Sequence, residues 1–336
     1  MYYKKLQSLN TFSINVKAKK IVTAHSELEL LTLWNNAKKI KQPILILGGG
    51  SNILFLENYP GTIILNRIKG IKIYENQKSW KIQAKSGEIW HNIVKNSIKN
   101  NIHGLENMAM IPGYAGSAPI QNIGAYGIEF KEICEYVNVL ELKTGKQQKL
   151  LVHECEFEYR NSIFQTKLKN NYAITEIGLL LKKNWKPILK HTSLKNLNTK
   201  NITPKKIYKK ICKIRKKKLP NPKYLGNAGS FFKNPTIDIK NAKKLLKQHP
   251  KIPKQIQPNK KIKISASWLI ELCGLKGYKL KNTAIYNKNA LIIINRGKAN
   301  GKEIAKLAKH IQKKVMKKFS IKLIPEVKYI KQMDKQ

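Results

Sequence analysis

The sequence predicts an α+β protein with a strand-rich first domain and a smaller, mixed second domain. The chain has 336 residues, which is long enough for two domains and a substantial core. Its apolar share of 42% is near that of globular proteins, so wholesale disorder is not expected. Strand-like segments dominate the first half, and helical patterns become frequent only from residue 204.

Short runs of β-branched and apolar residues predict the strands of the first domain. They are KKIVTA (19–24), the two halves of PILILGGGSNILF (43–55), TIILNRIKGIKIY (62–74), SWKIQAKSG (79–87) and YAITEIGLLL (172–181). The segment CEYVNVLELKTGKQQKLLV (134–152) predicts a hairpin that turns at 144–146.

Two helices are predicted among these strands. In SELELLTLWNNAKK (26–39), Ser26 and Glu29 have capping-box spacing, and apolar residues recur on one face. GEIWHNIVKNSIKN (87–100) predicts a short amphipathic helix, and a long glycine-rich loop follows at 103–127.

The second domain follows a connector at 184–203. Thr203 and Pro204 are typical of a helix start, and they open PKKIYKKICKIRKKK (204–218). Helices are also predicted for SASWLIELCG (265–274) and GKEIAKLAKHIQKKVMKKF (301–319). A strand is predicted for IKLIPEVKYI (321–330).

The formal net charge of +47 does not by itself indicate a nucleic-acid partner. Only four of the 66 basic residues are arginines, although base and phosphate recognition favours the planar guanidinium. The lysines are spread along the chain, and together with abundant isoleucine and asparagine they indicate A/T-rich codons. We therefore expect weak, salt-sensitive binding to polyanions and no specific nucleic-acid partner. Arg160, beside Tyr159, stands out for the same reason. In a chain that uses lysine so freely, an arginine indicates a position that needs the planar guanidinium group.

Other compositional features exclude several classes of protein. The start MYYKKLQSLN lacks the apolar segment of a secretory signal, and no apolar run approaches the roughly 18 residues that span a bilayer. The four cysteines lie far apart without CxxC spacing, which predicts neither a metal site nor a disulfide framework. We expect a cytoplasmic protein with no membrane partner.

The first glycine segment, LILGGGSNILF, is not a dinucleotide fingerprint. GxGxxG opens a helix, whereas here Ser51 and Asn52 lead into an apolar strand, and no Walker lysine follows. Its bare main-chain N–H groups are suited to phosphate. Taken alone, however, the segment favours a plain hairpin turn.

The second glycine segment, IPGYAGSAPIQNIGAYG (111–127), combines four glycines with Ser117, Gln121 and Asn122. A structural loop rarely needs so much backbone freedom. Two such loops in one strand-rich domain predict a large cofactor held by main-chain groups.

GNAGSFFKNP (226–235) places Ser230 between a glycine and two phenylalanines. Taken alone, this pattern favours a turn-capping serine over a hydrophobic cluster. The segment lacks the G-x-S-x-G elbow, so a nucleophilic triad is not favoured.

Six motifs in this order resemble the UDP-N-acetylenolpyruvoylglucosamine reductase family, the flavoenzymes of cytoplasmic peptidoglycan-precursor synthesis. They are GGGSNILF, IPGYAGSAPIQNIGAYG, YRNSIF, KLPNPKYLGNAGSFFKNP, WLIELCGLKG and the terminal PEV. The resemblance runs from about residue 10 to about residue 330. The uninterrupted YRNSIF region resembles the longer of the family's two types.

The resemblance implies an α+β fold with an FAD-binding domain of the vanillyl-alcohol-oxidase (PCMH) type in two subdomains, plus a smaller α+β substrate-binding domain. The implied FAD-binding domain covers 1–190, with subdomains at about 1–66 and 67–190. The implied substrate-binding domain covers 200–336, and its last strand carries Glu326.

The implied reaction reduces the enolpyruvyl ether of the UDP-sugar, with NADPH as co-substrate and noncovalent FAD as carrier. Hydride goes from flavin N5 to C3 of the substrate, and Ser230 donates a proton to C2 while the phenylalanines exclude water. Arg160 and Glu326 stabilise the enolate, with Glu326 acting protonated or through a polarised hydrogen bond.

The resemblance also implies the binding residues. The UDP-sugar is contacted by Tyr159, Lys218 and Asn234. FAD is contacted by Gly48, Gly49, Gly50, Ser51, Asn52, Ile111, Pro112, Gly113, Gly116, Ser117, Ile120, Gln121, Asn122, Gly124, Ala125 and Tyr126.

Two positions depart from the family pattern. His191 stands where a tyrosine usually closes over the substrate, and Ser267 stands where a glycine is usual. A related FAD-dependent oxidase and a non-enzymatic polyanion-binding protein stay open as alternatives. A monomer is expected, and the preference for NADPH over NADH is not determined by any motif.

Overall fold

The computed structural model describes residues 4–197, 201–257 and 260–331. Within these ranges the helices are α1 (Glu27–Lys39), α2 (Trp90–Lys99), α3 (Pro204–Lys218), α4 (Ile239–Gln248), α5 (Ala266–Leu272) and α6 (Gly301–Phe319). In the part of the chain so described, none of these helices has the length and apolarity that crossing a membrane requires.

The strands are short, and many pair with neighbours distant in sequence. They are β1 (Lys4–Lys5), β2 (Lys17–Ala24), β3 (Ile44–Leu47), β4 (Ile53–Phe55), β5 (Tyr59–Asn66), β6 (Ile71–Glu75), β7 (Ser79–Lys85), β8 (Gly124–Ala125), β9 (Ile128–Glu129), β10 (Cys134–Glu141), β11 (Gln147–Leu151), β12 (Tyr172–Lys182), β13 (Asn227–Ser230), β14 (Thr236–Asp238), β15 (Lys254–Gln257), β16 (Lys261–Ile264), β17 (Lys279–Leu280), β18 (Thr283–Ile285), β19 (Ile292–Asn295) and β20 (Lys328–Ile330).

The chain forms two compact units, and each contains separate stretches of sequence. The first unit contains Ala18–Gly49 and Pro60–Arg215. The second contains Lys5–Lys17, Gly50–Tyr59 and the chain from Lys216 onward. The sequence predicts a different division, with an FAD-binding domain at 1–190 in two subdomains and a substrate-binding domain at 200–336. Those assignments to cofactor and substrate stay a prediction.

The first unit is built around an antiparallel sheet in the order β11-β10-β12-β7-β6. Its core contains apolar side chains from α2, α3 and this sheet, among them Trp90, Ile207 and Ile177. Burial of these side chains stabilises the unit by about 25 cal/mol for each Å² of apolar surface removed from water. The core supports the glycine-rich segment, whose Ala115 and Ala118 belong to it.

A second sheet of the first unit has the order β1-β2-β5-β3, and α1 carries the predicted N-terminal cap. The Ser26 hydroxyl accepts a hydrogen bond from the Glu29 amide at 3.1 Å. The Glu29 carboxylate in turn accepts from the His25 amide at 2.7 Å. The predicted helix start is therefore confirmed, because both groups of the cap find main-chain donors.

The second unit contains an antiparallel sheet in the order β13-β19-β18-β17, against which α6 packs. Helix α6 begins and ends where the sequence predicts, and it buries one apolar face along its length. A three-stranded sheet, β14-β16-β15, and a parallel pair, β20-β4, complete the described part of this unit.

Two strand predictions are wrong. The segment 43–55 is not a hairpin, because β3 pairs in parallel with β5 whereas β4 pairs in parallel with β20. The predicted strand 321–330 forms a ladder only at Lys328–Ile330, so Glu326 precedes the last strand instead of lying in it. The preceding residues pair with a different segment, because Pro325 forms an isolated bridge with Phe232, whereas Lys328–Ile330 pair with β4.

Candidate active site

The two predicted glycine loops meet in the first unit. A methyl group added at Gly49 would lie 3.1 Å from the Cα of Gly113, and one added at Gly48 would lie 2.8 Å from the Ser117 hydroxyl oxygen. A side chain at Gly49 would require the main chain at Gly113 to shift by a few tenths of an ångström, and one at Gly48 would require the Ser117 side chain to move. The two glycine loops therefore lie against each other within the first unit, while the cofactor that they are predicted to hold stays a prediction.

The rest of the first loop belongs to the second unit. Gly50 has a φ of +60°, and a methyl group there would lie 2.0 Å from the Leu9 carbonyl oxygen. The Asn52 side-chain amide donates to the Glu326 carbonyl at 3.1 Å. One role of Asn52 in this structure is thus to hold the peptide group of Glu326.

Asn122 of the second loop is fully buried, and its side chain is engaged by protein groups. Its amide nitrogen donates to the Glu129 carboxylate at 2.9 Å and to the Glu158 carbonyl at 3.0 Å. Its oxygen accepts from the Lys131 amide at 3.0 Å. A direct contribution of Asn122 to a cofactor would therefore come from its main chain.

Arg160 lies two residues after Glu158, whose carbonyl accepts the hydrogen bond from Asn122. Its guanidinium nitrogen Nη2 donates to the Gly124 carbonyl at 3.0 Å, and its own carbonyl accepts from the Gln165 side chain at 3.1 Å. The guanidinium carbon lies 5.3 Å from the centre of the Tyr159 ring. Tyr159 and Arg160 are both half-buried. Their side chains form one local cluster with the second glycine loop.

Ser230 ends β13 in the second unit, directly after a bulge. The pairs Asn227↔Ile294 and Ser230↔Ile292 are separated by a register shift. Gly229 lies inside that shift with a φ of +68°, a conformation that favours glycine. The bulge re-aims the strand, and it leaves Ser230 half-buried.

The phenylalanines after Ser230 lie in the core. Phe231 and Phe232 are 0% and 1% exposed. The Phe231 ring contacts the Phe12 and Tyr329 rings at centroid distances of 6.3 Å and 6.2 Å. These rings anchor the strand that carries Ser230, and their predicted exclusion of water from the hydroxyl stays a prediction.

Glu326 lies on the segment next to the one that carries Ser230. Its amide donates to the Phe231 carbonyl at 2.8 Å, one residue beyond Ser230. The Lys233 amide donates to the Ile324 carbonyl at 2.9 Å, so the pairing continues on both sides of Pro325. The second unit thereby brings two of the three predicted catalytic residues into adjacent segments.

The Asn227 side chain stabilises the segment that leads into β13 and the turn at Gly229. Its side-chain oxygen accepts from the Gly229 amide at 2.9 Å, and its side-chain nitrogen donates to the Pro220 and Leu225 carbonyls at 3.1 Å and 2.8 Å. The side chain is 4% exposed, so water cannot replace these partners.

We expect Asn227→Ala to destabilise the protein by about 2–4 kcal/mol, because buried polar groups left without partners cost about 1–3 kcal/mol each. The midpoint of urea unfolding measures this loss. Asn221→Ala is the matched control, since its side chain accepts one bond from the Lys223 amide at an exposed position. Equal midpoints for the two variants would contradict the role of Asn227.

The remaining predicted residues are distributed over both units. Lys218 is exposed at the end of α3, and the Asn234 side-chain oxygen accepts from the Ala266 amide at 2.9 Å at the start of α5. The exposed His191 lies in the first unit, with its ring 4.8 Å from the Tyr126 ring. The structure thus places the histidine that departs from the family pattern beside the second glycine loop.

Arg215 is a residue that the sequence analysis missed. Its Nη2 donates to the Met110 carbonyl at 3.1 Å, and its Nε is buried without a hydrogen-bond partner among the described residues. Burial lowers the pKa of its guanidinium, and the neighbouring Tyr126 hydroxyl opposes that shift. The scarcity of arginine was a signal available in the sequence, because it applies to Arg215 as much as to Arg160.

Comparison with known proteins shows the family of this chain. Residues 221–330 match the family described as UDP-N-acetylenolpyruvoylglucosamine reductase, C-terminal domain, and residues 18–151 match an FAD binding domain. The chain is 58% identical over 327 residues to the UDP-N-acetylenolpyruvoylglucosamine reductase of Wigglesworthia glossinidia brevipalpis, covering 97% of this chain and 96% of that protein. This chain belongs to the UDP-N-acetylenolpyruvoylglucosamine reductase family.

Further members of the reductase family are similar along their whole length. The protein of Buchnera aphidicola subsp. Schizaphis graminum is 51% identical, covering 99% of this chain and 97% of its own. That of Escherichia coli O157:H7 is 46% identical, with coverage of 97% and 95%. The crystal structure of the reductase from Thermus caldophilus superposes with a TM-score of 0.65 at 21% identity, covering 98% of each chain, which shows the same fold.

These matches confirm the α+β reductase fold with an FAD-binding domain, and they identify the chain as an oxidoreductase. The structure fits the FAD assignment at the glycine turns. Gly48 and Gly49 expose main chain where a side chain would collide with the second loop, and main-chain N–H groups in such turns bind phosphate oxygens. The Arg67 guanidinium donates to the Gly48 carbonyl at 3.1 Å and places a positive charge at the same turn.

Proposed function

We propose that this chain reduces UDP-N-acetylenolpyruvoylglucosamine to UDP-N-acetylmuramate with NADPH, in the cytoplasmic synthesis of peptidoglycan precursors. The names of its full-length relatives support the substrate. The observation that supports the chemistry is the pairing, in the second unit, of the segment after Ser230 with the segment that carries Glu326.

We assign noncovalent FAD binding to the two glycine segments. The proposed residues are Gly48–Asn52, Ile111–Gly113, Gly116, Ser117, Ile120–Asn122 and Gly124–Tyr126. When bound, FAD supplies to the substrate the hydride that it has accepted from NADPH. The chain contributes main-chain donors and small polar side chains that fix the cofactor's orientation.

Ser230 is the proposed proton donor. Hydride addition at C3 leaves negative charge on C2 and on the carboxylate of the substrate. A carbon-centred enolate is basic enough to take a proton from a neutral hydroxyl, provided that the hydroxyl is held in place. The bulge at Gly229 and the buried Phe231 supply that placement. Positioned general acids contribute typically ~10²–10⁴-fold in rate.

Arg160 is proposed to bind the substrate carboxylate. A guanidinium matches a carboxylate with two parallel hydrogen bonds, and the attraction grows as charge develops in the transition state. The bond from Nη2 to the Gly124 carbonyl orients the head before substrate binds. A preset orientation lowers the entropic cost of forming the pair.

Glu326 is proposed to donate a hydrogen bond to the enolate in its protonated form. An ionised carboxylate at this place would repel the developing charge. The Asn52 side chain donates to the Glu326 carbonyl, and the Glu326 amide donates to the Phe231 carbonyl. These two hydrogen bonds fix the main chain from which the Glu326 side chain extends.

Tyr159, Lys218 and Asn234 are proposed to contact the UDP-sugar. The ammonium of Lys218 is exposed at the end of α3, as expected for a group that meets a diphosphate. The oxygen of the Asn234 side chain accepts from the Ala266 amide at the start of α5, so the proposed contact with the ligand would be made by the side-chain N–H groups of Asn234.

Arg215 is proposed to hold a further anionic group of the substrate. A buried guanidinium is costly without a counter-charge, and the groups that raise its pKa are the weak acids Tyr126 and Cys212 rather than a carboxylate. A substrate that carries a carboxylate and two phosphates supplies such a charge.

We expect Arg215→Met to unfold at an equal or higher temperature than the wild type, because it removes the desolvation cost of the guanidinium and keeps the volume. The KM for the UDP-sugar should rise by about 10–100-fold, since a hydrogen bond to a charged group contributes about 1.5–3 kcal/mol. Thermal unfolding and steady-state kinetics measure the two effects. A lower melting temperature with an unchanged KM would identify Arg215 as a purely structural residue.

Anaerobic titration tests the proposed reaction. The purified protein should be yellow, lose its flavin absorbance on addition of NADPH, and regain it on addition of the enolpyruvyl UDP-sugar. Parallel titration with NADH measures the preference between the nucleotides. Reduced flavin that oxygen reoxidises, but the UDP-sugar does not, would contradict the assignment and favour an oxidase.

We also propose that the protein acts as a monomer, with cofactor binding assigned to 1–190 and substrate binding to 200–336. Sedimentation equilibrium at working concentration measures the first point. A mass of twice 38.6 kDa would contradict it.

A further inference from the structure

Arg67 joins the two glycine turns of the first unit through one side chain. Its Nη1 donates to the Leu47, Gly48 and Asn66 carbonyls at 3.4 Å, 3.1 Å and 2.9 Å. Its guanidinium carbon lies 4.7 Å from the centre of the Tyr114 ring, which belongs to the second turn. The side chain is thus hydrogen-bonded to one turn and stacked on the other.

Within the described ranges, the side-chain hydrogen bonds of Arg67 run to carbonyl oxygens and not to a carboxylate. Among the described residues this arginine forms no ion pair, and the nearby carboxylate of Glu88 pairs with Lys69 at 3.7 Å. The Lys69 ammonium also lies over the Tyr114 ring, at 5.4 Å, but this lysine is exposed. Arg67 is half-buried, and its hydrogen bonds run to main-chain carbonyls instead.

The Tyr114 ring also lies near the first glycine turn. The Tyr114 ring lies 3.8 Å from the position that a Cβ of Gly48 would occupy. The main chain of the same turn approaches the first turn at Gly113, as described above. The ring therefore lies close to the first turn as well as under the Arg67 guanidinium.

We propose that Arg67 and Tyr114 form a clamp that presets the spacing of the two turns and so determines how tightly the chain retains FAD. A cofactor held by main-chain groups on two segments binds more tightly when those segments already have the correct spacing, because less of the chain has to be ordered on binding. Arg67 and Tyr114 act as positioning residues. The inference rests on the FAD part of the proposed function and is independent of the proposed substrate.

Arginine is required at this position for a physical reason. The planar guanidinium presents several N–H groups in one plane and stacks on an aromatic face, whereas an ammonium offers a compact, strongly hydrated charge. A chain that uses lysine at almost every basic position retains arginine here.

FAD retention by the holoprotein tests the clamp. Wild type and variants are diluted and ultrafiltered, and the flavin in the filtrate is measured against protein concentration to obtain the dissociation constant. Arg67→Lys and Tyr114→Leu should each weaken FAD binding by about 10–100-fold, in line with the lost charge-assisted bonds and stacking. Tyr114→Phe keeps the ring and should bind FAD like the wild type.

A double variant and a control make the test specific. If the two residues act as one clamp, Arg67→Lys combined with Tyr114→Leu should weaken binding little more than either change alone. Arg296→Lys is the control, because Arg296 is exposed and its Nη1 contacts only the Lys281 carbonyl among the described residues. It should leave FAD binding unchanged.

Two results would overturn the clamp: wild-type affinity in Tyr114→Leu, or fully additive losses in the double variant. If Arg67→Lys does not fold, the pair Tyr114→Leu and Tyr114→Phe still decides the question. A wild-type protein that retains FAD but does not reduce the UDP-sugar would contradict the proposed reaction and leave these binding measurements valid.

Discussion

In Ser230→Ala, reduction of the bound flavin by NADPH should be nearly unchanged, while reoxidation by the UDP-sugar should slow by ~10²–10⁴-fold. The first half-reaction needs no proton at C2 of the UDP-sugar, whereas the second cannot finish without one. The side chain removed is small and half-buried at the end of β13, so the fold should tolerate the change. Anaerobic stopped-flow absorbance resolves the two half-reactions.

Ser230→Cys is the matched variant, because it keeps a proton-bearing group on the same bulge. It should retain more of the second half-reaction than Ser230→Ala. If both variants reoxidise at the wild-type rate, the proton comes from another group and the assignment of Ser230 is wrong. If Ser230→Ala loses flavin, the serine is needed for the cofactor.

Arg160→Lys should slow the second half-reaction by ~10²–10³-fold, the usual effect of removing one preorganised donor to a developing negative charge. Lysine keeps the positive charge but cannot make two parallel hydrogen bonds to a carboxylate. It also cannot reproduce the fixed bond from the guanidinium to the Gly124 carbonyl while facing the substrate. Reduction by NADPH should change much less.

Arg296→Lys serves as the control for the same chemical change at an exposed site of the second unit. It should leave both half-reactions unchanged. Equal losses of both half-reactions in Arg160→Lys would indicate damage to the fold or to flavin binding, and would remove the argument for a role in enolate stabilisation.

The helices were predictable because their signals are local. The described bounds of α3 and α6 agree with the predicted segments, and α1 begins at the predicted cap. The hairpin of β10 and β11 was predictable for the same reason, since a short turn determines its register. By contrast, several short strands of the second half were missed, and so was α4, although its apolar residues Ile239, Ala242, Leu245 and Leu246 recur at helical spacing.

Strand partners were not predictable, because pairing is decided by segments far apart in sequence. The halves of PILILGGGSNILF are adjacent in the chain, yet β3 pairs with β5 and β4 pairs with β20. A hairpin prediction assumes that neighbours in sequence are partners, and this glycine segment breaks that assumption.

The role of the paired phenylalanines also needed the tertiary structure. Their position beside Ser230 predicts that they exclude water from the hydroxyl, which stays a prediction, and the tertiary structure adds that both rings lie in the core of the second unit. The surroundings of Arg67 and Arg215 were likewise hidden, because their hydrogen bonds to the Gly48 and Met110 carbonyls join segments far apart in sequence.

By itself, the sequence determined the family, every described helix but α4, and the residue types that the proposed chemistry requires, because those features depend on short motifs and local periodicity. Only the tertiary structure decided that Asn52 and Phe231 hold Glu326, that Asn122 holds the turn of Arg160, and that Arg67 stacks on Tyr114. Each of these contacts joins segments separated by many residues. Such contacts follow from how the core packs, which no local pattern encodes.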